Sequence, residues 1–516
     1  MIFALIATLA GLALSLWMAA LSDGVHHDDD LVHLLYARWS FDYPAYLLHE
    51  WGRPGFTVLY AIPAQFGWFA SRAFSGVLTA LTAWCAFRIA QRLGAPRAWT
   101  APAFVWLQPM TFTLSYTTLT EPVLALYLAL AMRLFLARRF AWSAAVVSLC
   151  AVTRHEALLF LALWAAALWR ERRPLREWLP LAWAPLVHNV LSHFYLWEAP
   201  LMMFLRPAPT DEYGSGAWWS MLARWPLAAG VGPLLLGCVG APLLFRTRGG
   251  ALWVACGAAY FVAHSVLYRY GLFATGGYYR FLAPLAPLLA TGAAAALGAF
   301  AARGRDAERR AIALLLALAG VTGILWAAIE AETPDWLAWL LVWSRYGALG
   351  MIALCVGCAI VATRARGLLR RVALALPPLA LVVLTFWQPV LARGVQPPFT
   401  QCAPLRLVDD QLLVREAVDW LRESHLADRT VVAANLWVYE FLGRSLTPFR
   451  PNTRQQLEQL KPGELFLWDR RYCPSPAHRI PLEELEQRAD LALLWHGGEH
   501  PRDGVFCYIF ERRPTP

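Results

Sequence analysis

Apolar residues occur along this chain in long blocks rather than in alternation. From Met1 to about residue 390, apolar stretches follow one another with short polar breaks between them. A stretch of about 20 apolar residues is the length that crosses a bilayer as a helix. The pattern predicts about thirteen spans, near 1–21, 72–91, 98–114, 122–138, 141–153, 156–170, 178–197, 227–245, 251–268, 281–300, 311–329, 344–363 and 372–390. The fifth and sixth are short, as half-helices would be. The stretch 56–69 is apolar but broken by Pro63 and Gly67, which suits a re-entrant or interfacial segment. The first stretch, Met1 to Leu21, has no Lys or Arg before its long apolar run, so it reads as a retained helix rather than a cleaved leader.

The pattern changes after about residue 390. Helix-like stretches at 409–424 and 482–488 alternate with short apolar runs at 430–435, 464–469, 492–496 and 505–510. Such runs, bounded by turn residues, predict strands and a small α/β domain. The expected architecture is an all-α polytopic membrane protein over 1–390, with an α/β domain over 391–516.

Charge orients the spans. Alternate loops hold Arg88, Arg92 and Arg97; Arg133, Arg138 and Arg139; Arg170, Arg172, Arg173 and Arg176; Arg246 and Arg248; Arg303, Arg305, Arg309 and Arg310; and Arg364, Arg366, Arg370 and Arg371. The other loops hold most of the acids: Asp23, Asp28, Asp29, Asp30, Asp42, Glu50, Glu121, Glu156, Glu198, Asp211, Glu212, Glu330, Glu332 and Asp335. Cytoplasmic loops are the ones enriched in Lys and Arg, so the N-terminus is expected inside and the C-terminal domain outside. The same clustering accounts for the net charge of +10 without nucleic acid as a partner. Trp is abundant, with 26 residues, many near span ends where the membrane interface favours it.

Of the nine cysteines, Cys85, Cys150, Cys238, Cys256, Cys355 and Cys358 lie in apolar spans and read as small core residues. Cys402, Cys473 and Cys507 lie in the C-terminal domain, where an oxidising compartment would allow a Cys473–Cys507 disulfide.

The candidate chemistry falls on the acidic side. The first outer loop carries His26, His27 and three consecutive aspartates, Asp28, Asp29 and Asp30. A helix starting there would set Asp29 or Asp30 on one face with His33. A carboxylate at a membrane surface can take or hold the proton of an attacking hydroxyl. The plainer reading is a solvated loop with an Asp helix cap. His26 and Asp28 are weak candidates for a divalent metal. Farther along stand Arg53, Glu121, Arg154, His155, Glu156, Arg269 and Arg280. Ionisable side chains at membrane depth are costly and usually pair or line a cavity. An Arg at the interface grips a lipid phosphate well, although it can also merely snorkel. All these residues fall on one side of a topology derived without them.

The pattern resembles the GT-C glycosyltransferases, and most of all their protein O-mannosyltransferase and aminoarabinose-transferase branch. The resemblance rests on Asp29-Asp30 followed at the branch's spacing by Ala37-Arg38, and on Arg53-Pro54-Gly55, where a second proline is lost. It also rests on Arg72 and Leu93-Gly94, Glu121-Pro122, Thr153-Arg154, and Arg280-Phe281 with Pro284 and Pro287. The acidic pair is Asp-Asp rather than Asp-Glu.

The resemblance implies an enzyme that moves a sugar from a polyprenyl-phosphate donor to an acceptor hydroxyl on the extracytoplasmic face. The acceptor would be a lipid, a glycan or a protein. Asp29 would be the base, supported by Asp30 and His33. Arg53, Arg154 and Arg280 would neutralise the donor phosphate, and Glu121 and Glu156 would orient those cations or contact the sugar. No cofactor is expected. Abundant Arg and scarce Lys suggest a bacterial inner membrane. Two rival readings are a flippase for a lipid-linked glycan and an oligosaccharyltransferase-like ligase. Transporters tend to carry repeats and midplane charges, and neither is evident here. A WWDxG-like motif is missing from the outer domain.

Overall fold

The structure is a computed structural model that describes all residues except 200–213, 273–275, 333–337, 393–403, 501–503 and 515–516. Asp211, Glu212, Asp335 and Cys402 lie outside the described residues. The chain divides into two compact units. One comprises Met1–Ala20, Leu48–Leu59 and Phe66–Ala403; the other comprises Leu21–Leu47, Tyr60–Gln65 and Pro404–Pro516. The compact units therefore do not follow the single cut expected at 390, because Leu21–Leu47, after the first helix, folds with the C-terminal residues. Where the chain leaves the first helix, the Asp23 and Gly24 N–H groups both donate to the Leu405 carbonyl, at 2.9 and 3.0 Å.

The larger unit is helical. Seven described helices are long and apolar enough to cross a membrane, or eight if the pair Ser220–Ala229 and Val231–Phe245, bent by 113°, counts as one span. The other expected spans are shorter than a bilayer requires. The expected span 98–114 is two helices, Ala101–Trp106 and Pro109–Leu114. Pro109 drives Gln108 into an extended conformation and ends the first of them. Glu121–Leu136, Phe140–Thr153 and Leu158–Arg170 have 16, 14 and 13 residues. The break expected within 56–69 is present: helix Pro54–Tyr60 stops before Pro63, and Gly67, at φ +84°, opens helix Gly67–Arg92.

Helix Ala286–Ala301 is buried along most of its length, and its alanines and glycines allow close packing. A Cβ on Gly240 would lie 1.9 Å from the Gly292 carbonyl oxygen, so helix Val231–Phe245 meets it backbone to backbone. Lipid tails are as apolar as the side chains, so close van der Waals contact of this kind replaces water exclusion as the glue.

The smaller unit holds a four-stranded sheet made of β1 (Val431–Ala433), β2 (Leu465–Asp469), β3 (Leu491–His500) and β4 (Gly504–Arg512), in the order β1-β2-β4-β3. β1 runs parallel to β2, and the other pairs are antiparallel. All five residues of β2 are buried, as its unbroken apolar run requires of a strand covered on both faces. Helix Asp409–Glu423 turns Val414, Ala417, Val418 and Leu421 inward at helical spacing. Helix Asp28–Trp39, from the first outer loop, belongs to this unit. Cys473 and Cys507 are both buried and free, so the expected disulfide is absent. Burial raises both thiols well above their ordinary range.

Candidate active site

In the helical unit, ionisable groups far apart in sequence form one buried cluster. Glu121 opens helix Glu121–Leu136, with Pro122 supplying a first-turn position that needs no N–H donor. Arg154 follows helix Phe140–Thr153 in an extended conformation, at φ −149° and ψ 134°. That kink turns its guanidinium toward three partners. Nε donates to Glu156 Oε1 at 2.5 Å, and Nη1 donates to Glu121 Oε1 at 3.1 Å and to Thr120 Oγ1 at 3.3 Å. The guanidinium carbon also stands 4.1 Å from the centre of the Phe281 ring. Arg280, in the 3-10 turn Tyr279–Leu285, brings its Nε within 3.8 Å of the same Glu121 oxygen. Glu121 and Arg280 are almost fully buried.

Arg53 and His155 extend the cluster. Arg53 Nη1 lies 3.0 Å from His155 Nε2 and 3.3 Å from Nδ1. Arg53 holds φ at +60°, a left-handed conformation that is uncommon outside glycine. Backbone strain of this sort persists only where surrounding contacts impose it, and it concentrates at functional positions. Gly55 lets the same segment approach closely: a Cβ there would lie 2.1 Å from Thr153 Oγ1, one residue before Arg154.

One member of the cluster escapes the sequence reading, and a second, Phe281, was named there only as the neighbour of Arg280. His264 is fully buried, with Nε2 3.4 Å from Glu156 Oε1, and Phe281 underlies both arginines. A lone His within the apolar helix Gly250–Arg269 was the available signal, since such residues are costly in a span. Arg224 was missed as well. It donates to the Gly277 carbonyl at 2.7 Å and lies 3.2 Å from Glu332 Oε1, tying down the segment just before Arg280.

Arg269 does not join the cluster. It ends its helix exposed, on the surface turn rather than the inward face that carries His264. Beside Glu121 lies a cavity of about 10 Å³, bordered by Thr79, Thr82 and Thr111. That volume suits a single water and is far too small for a phosphate.

The first-loop acids lie in the other unit, and the structure separates their roles. The helix expected there runs Asp28–Trp39, capped by His27. Asp30 is 1% exposed, and its Oδ2 accepts from the His26 N–H at 2.8 Å and the His27 N–H at 3.3 Å. Asp30 thus closes a capping box from the third helical position, whereas the plainer reading expected a solvated loop with an Asp at the N-cap, a place that His27 takes. Asp28 Oδ2 accepts from Arg471 Nη2 and from Tyr472 Oη, each at 2.6 Å. Asp29 is half-buried, with Oδ2 3.2 Å from His27 Nδ1. His33 is buried on the inner face of the same helix. Among the described residues, no three His, Cys, Asp or Glu side chains converge as metal ligands. The carboxylate of Asp28, one of the weak metal candidates, is engaged by a cation and a hydroxyl instead.

Known structures share this fold. The structure of ArnT from Cupriavidus metallidurans bound to undecaprenyl phosphate matches with a TM-score of 0.56 at 13% identity, covering 98% of this chain and 97% of that one. The apo structure of the same protein matches with a TM-score of 0.57 at 12% identity, with the same coverage. The mycobacterial arabinofuranosyltransferase AftD matches with a TM-score of 0.48 at 15% identity, covering 98% of this chain and 40% of that one. No family model matches the sequence, and no curated protein matches it. The chain has the fold of the GT-C glycosyltransferases.

Proposed function

We propose that this protein is an integral-membrane glycosyltransferase that moves a sugar from a polyprenyl-phosphate donor to an acceptor hydroxyl on the extracytoplasmic face. The observation that carries the reading is the buried cluster of Arg154, Arg280, Glu121 and Glu156, drawn together from three separate segments. With Arg53 it brings three guanidiniums into one buried place beside Glu121 and Glu156. In the transfer, the acceptor oxygen bonds to the anomeric carbon while the bond from that carbon to the phosphate oxygen breaks. The polyprenyl phosphate leaves with an added negative charge. Cations already fixed in a poorly solvated place stabilise that charge as it develops and need no reorganisation. Arginine suits the task because its planar fork matches two phosphate oxygens at once. Glu121 and Glu156 hold Arg154 in orientation.

Asp29 is the carboxylate assigned to the acceptor proton. The assignment rests on the first-loop motif and on the other duties of its neighbours, with Asp28 bound to Arg471 and Asp30 capping the helix. Asp30 and His33 support it from the same helix. The reaction in this form needs no metal. Arg and Ala richness with scarce Lys favours a bacterial inner membrane, with the C-terminal unit outside it. The solved ArnT complex supports an undecaprenyl-type carrier as the first donor to try.

The test is transfer of radiolabelled sugar from a panel of polyprenyl phosphates by the purified chain in lipid. Asp29→Asn and Arg154→Ala are expected to lower turnover by about 100-fold or more, the size of effect seen when one transition-state contact is removed. Near-normal turnover in both folded variants would overturn the assignment of the site, and no transfer from any donor of the panel would overturn the transferase reading. Passage of a lipid-linked sugar across proteoliposomes with no acceptor modified would favour the flippase instead.

A further inference from the structure

We propose that Arg471 is a positioning residue, which sets the helix carrying Asp29 by gripping Asp28, so that the C-terminal unit takes part in transfer. The inference rests on the transferase reading above and extends it.

Asp28 is the first residue of helix Asp28–Trp39, next in the chain to Asp29. Its Oδ2 is held at 2.6 Å by Arg471 Nη2 and at 2.6 Å by Tyr472 Oη. Arg471 reaches further, with Nη1 donating at 3.1 Å to Asp410 Oδ2 in the first turn of helix Asp409–Glu423. The grip has a rigid base. The N–H groups of Arg471 and Tyr472 donate at 3.1 and 2.8 Å to Asp469 Oδ1, at the end of the fully buried strand β2. The far end of the helix is tied as well, since Arg38 Nη1 meets Glu440 Oε2 at 2.7 Å. A helix fixed at both ends has little freedom to tilt.

The chemistry requires such a device. Three adjacent carboxylates repel one another, and each unneutralised charge beside Asp29 would disturb its position. Arg471 offsets one of the two that flank Asp29. As an exposed ion pair, this contact contributes little to overall stability. Its effect falls on geometry, where a misplacement of about 1 Å can cost a reaction about 100-fold.

The test uses the full chain in lipid nanodiscs, with Arg471→Ala, Arg471→Lys and Asp29→Asn. Readouts are steady-state transfer from the best donor of the panel, hydrogen exchange over residues 28–39, and the melting temperature. Arg471→Ala is expected to lower kcat by about tenfold, to leave the donor KM within about twofold, and to speed exchange in 28–39 by about tenfold. Arg471→Lys should recover most of both losses, because a single charge still reaches Asp28. Wild-type kcat in Arg471→Ala beside an inactive Asp29→Asn would overturn the proposal. So would faster exchange throughout 404–516 with a lowered melting temperature, since the contact would then serve only to hold the domain together. Normal turnover in Asp29→Asn would instead strike the assignment of Asp29 in the transferase reading and remove the basis for any positioning role.

Discussion

Removing the Asp30 carboxylate leaves the N–H groups of His26 and His27 without their acceptor, at the entry of a helix whose other contacts persist. Asp30→Ala should therefore lower the stability of the C-terminal unit by about 1 kcal/mol, the usual cost of a lost helix cap, as read by denaturant melts. Asp29→Asn should leave stability nearly unchanged and abolish transfer. The two variants together separate the capping carboxylate from the reacting one. Asp469 offers a pH signature at the same scale. Burial pushes its carboxyl up to about 6, against the opposing pull of the Tyr472 and Arg471 N–H groups. A carboxyl with a raised folded pKa binds its proton more readily when folded than when unfolded. Its contribution to stability therefore falls as pH rises from about 4 to about 6, by on the order of 2–3 kcal/mol. Asp469→Asn removes that loss while its Oδ1 remains an acceptor for both N–H groups. Its melting temperature relative to the wild type is expected to rise as pH increases across that window and to level off above it.

At the scale of elements, the larger unit depends on positions where two helices meet without side chains between them. Gly240 against Gly292 is the tightest. Gly240→Leu would push helix Val231–Phe245 away from Ala286–Ala301 and away from the turn that carries Arg280. Overpacking of this kind typically costs about 1–3 kcal/mol, so folded yield and melting temperature should fall together. Gly55→Val should act more locally. It would displace the Arg53 segment from Thr153, lowering transfer more than it lowers the melting temperature. Normal transfer in folded Gly55→Val protein would show that the close approach does not shape the site.

At the scale of the whole molecule, the charge bias makes a claim about sidedness that labelling can check. Phe449 is 63% exposed in the C-terminal unit, and Arg303 is exposed in an Arg-rich loop between helices Ala286–Ala301 and Arg305–Glu332. With the described native cysteines mostly buried, a membrane-impermeant maleimide should label Phe449→Cys in intact cells and Arg303→Cys only after the membrane is opened. The reverse pattern would invert the topology and place the candidate site on the cytoplasmic face.

The sequence by itself determined the long apolar helices, the helix-then-sheet order of the chain and the choice of Arg53, Glu121, Arg154, His155, Glu156 and Arg280 as candidates, which the structure draws into one cluster. These are readable because hydropathy and charge act locally, one stretch at a time, against a solvent of known thickness and polarity. All four strands were legible for a related reason, as short apolar runs between turns, although β3 runs well beyond the expected 492–496. The tertiary structure alone decided that Glu121 and Glu156 share Arg154, that His264 joins them, and that Arg269 does not. It alone separated Asp28, Asp29 and Asp30 and placed Leu21–Leu47 with the C-terminal residues. Those outcomes depend on contacts such as Asp28 with Arg471, between residues hundreds of positions apart. The pairing is set by how backbones pack, and no local pattern of side chains records it.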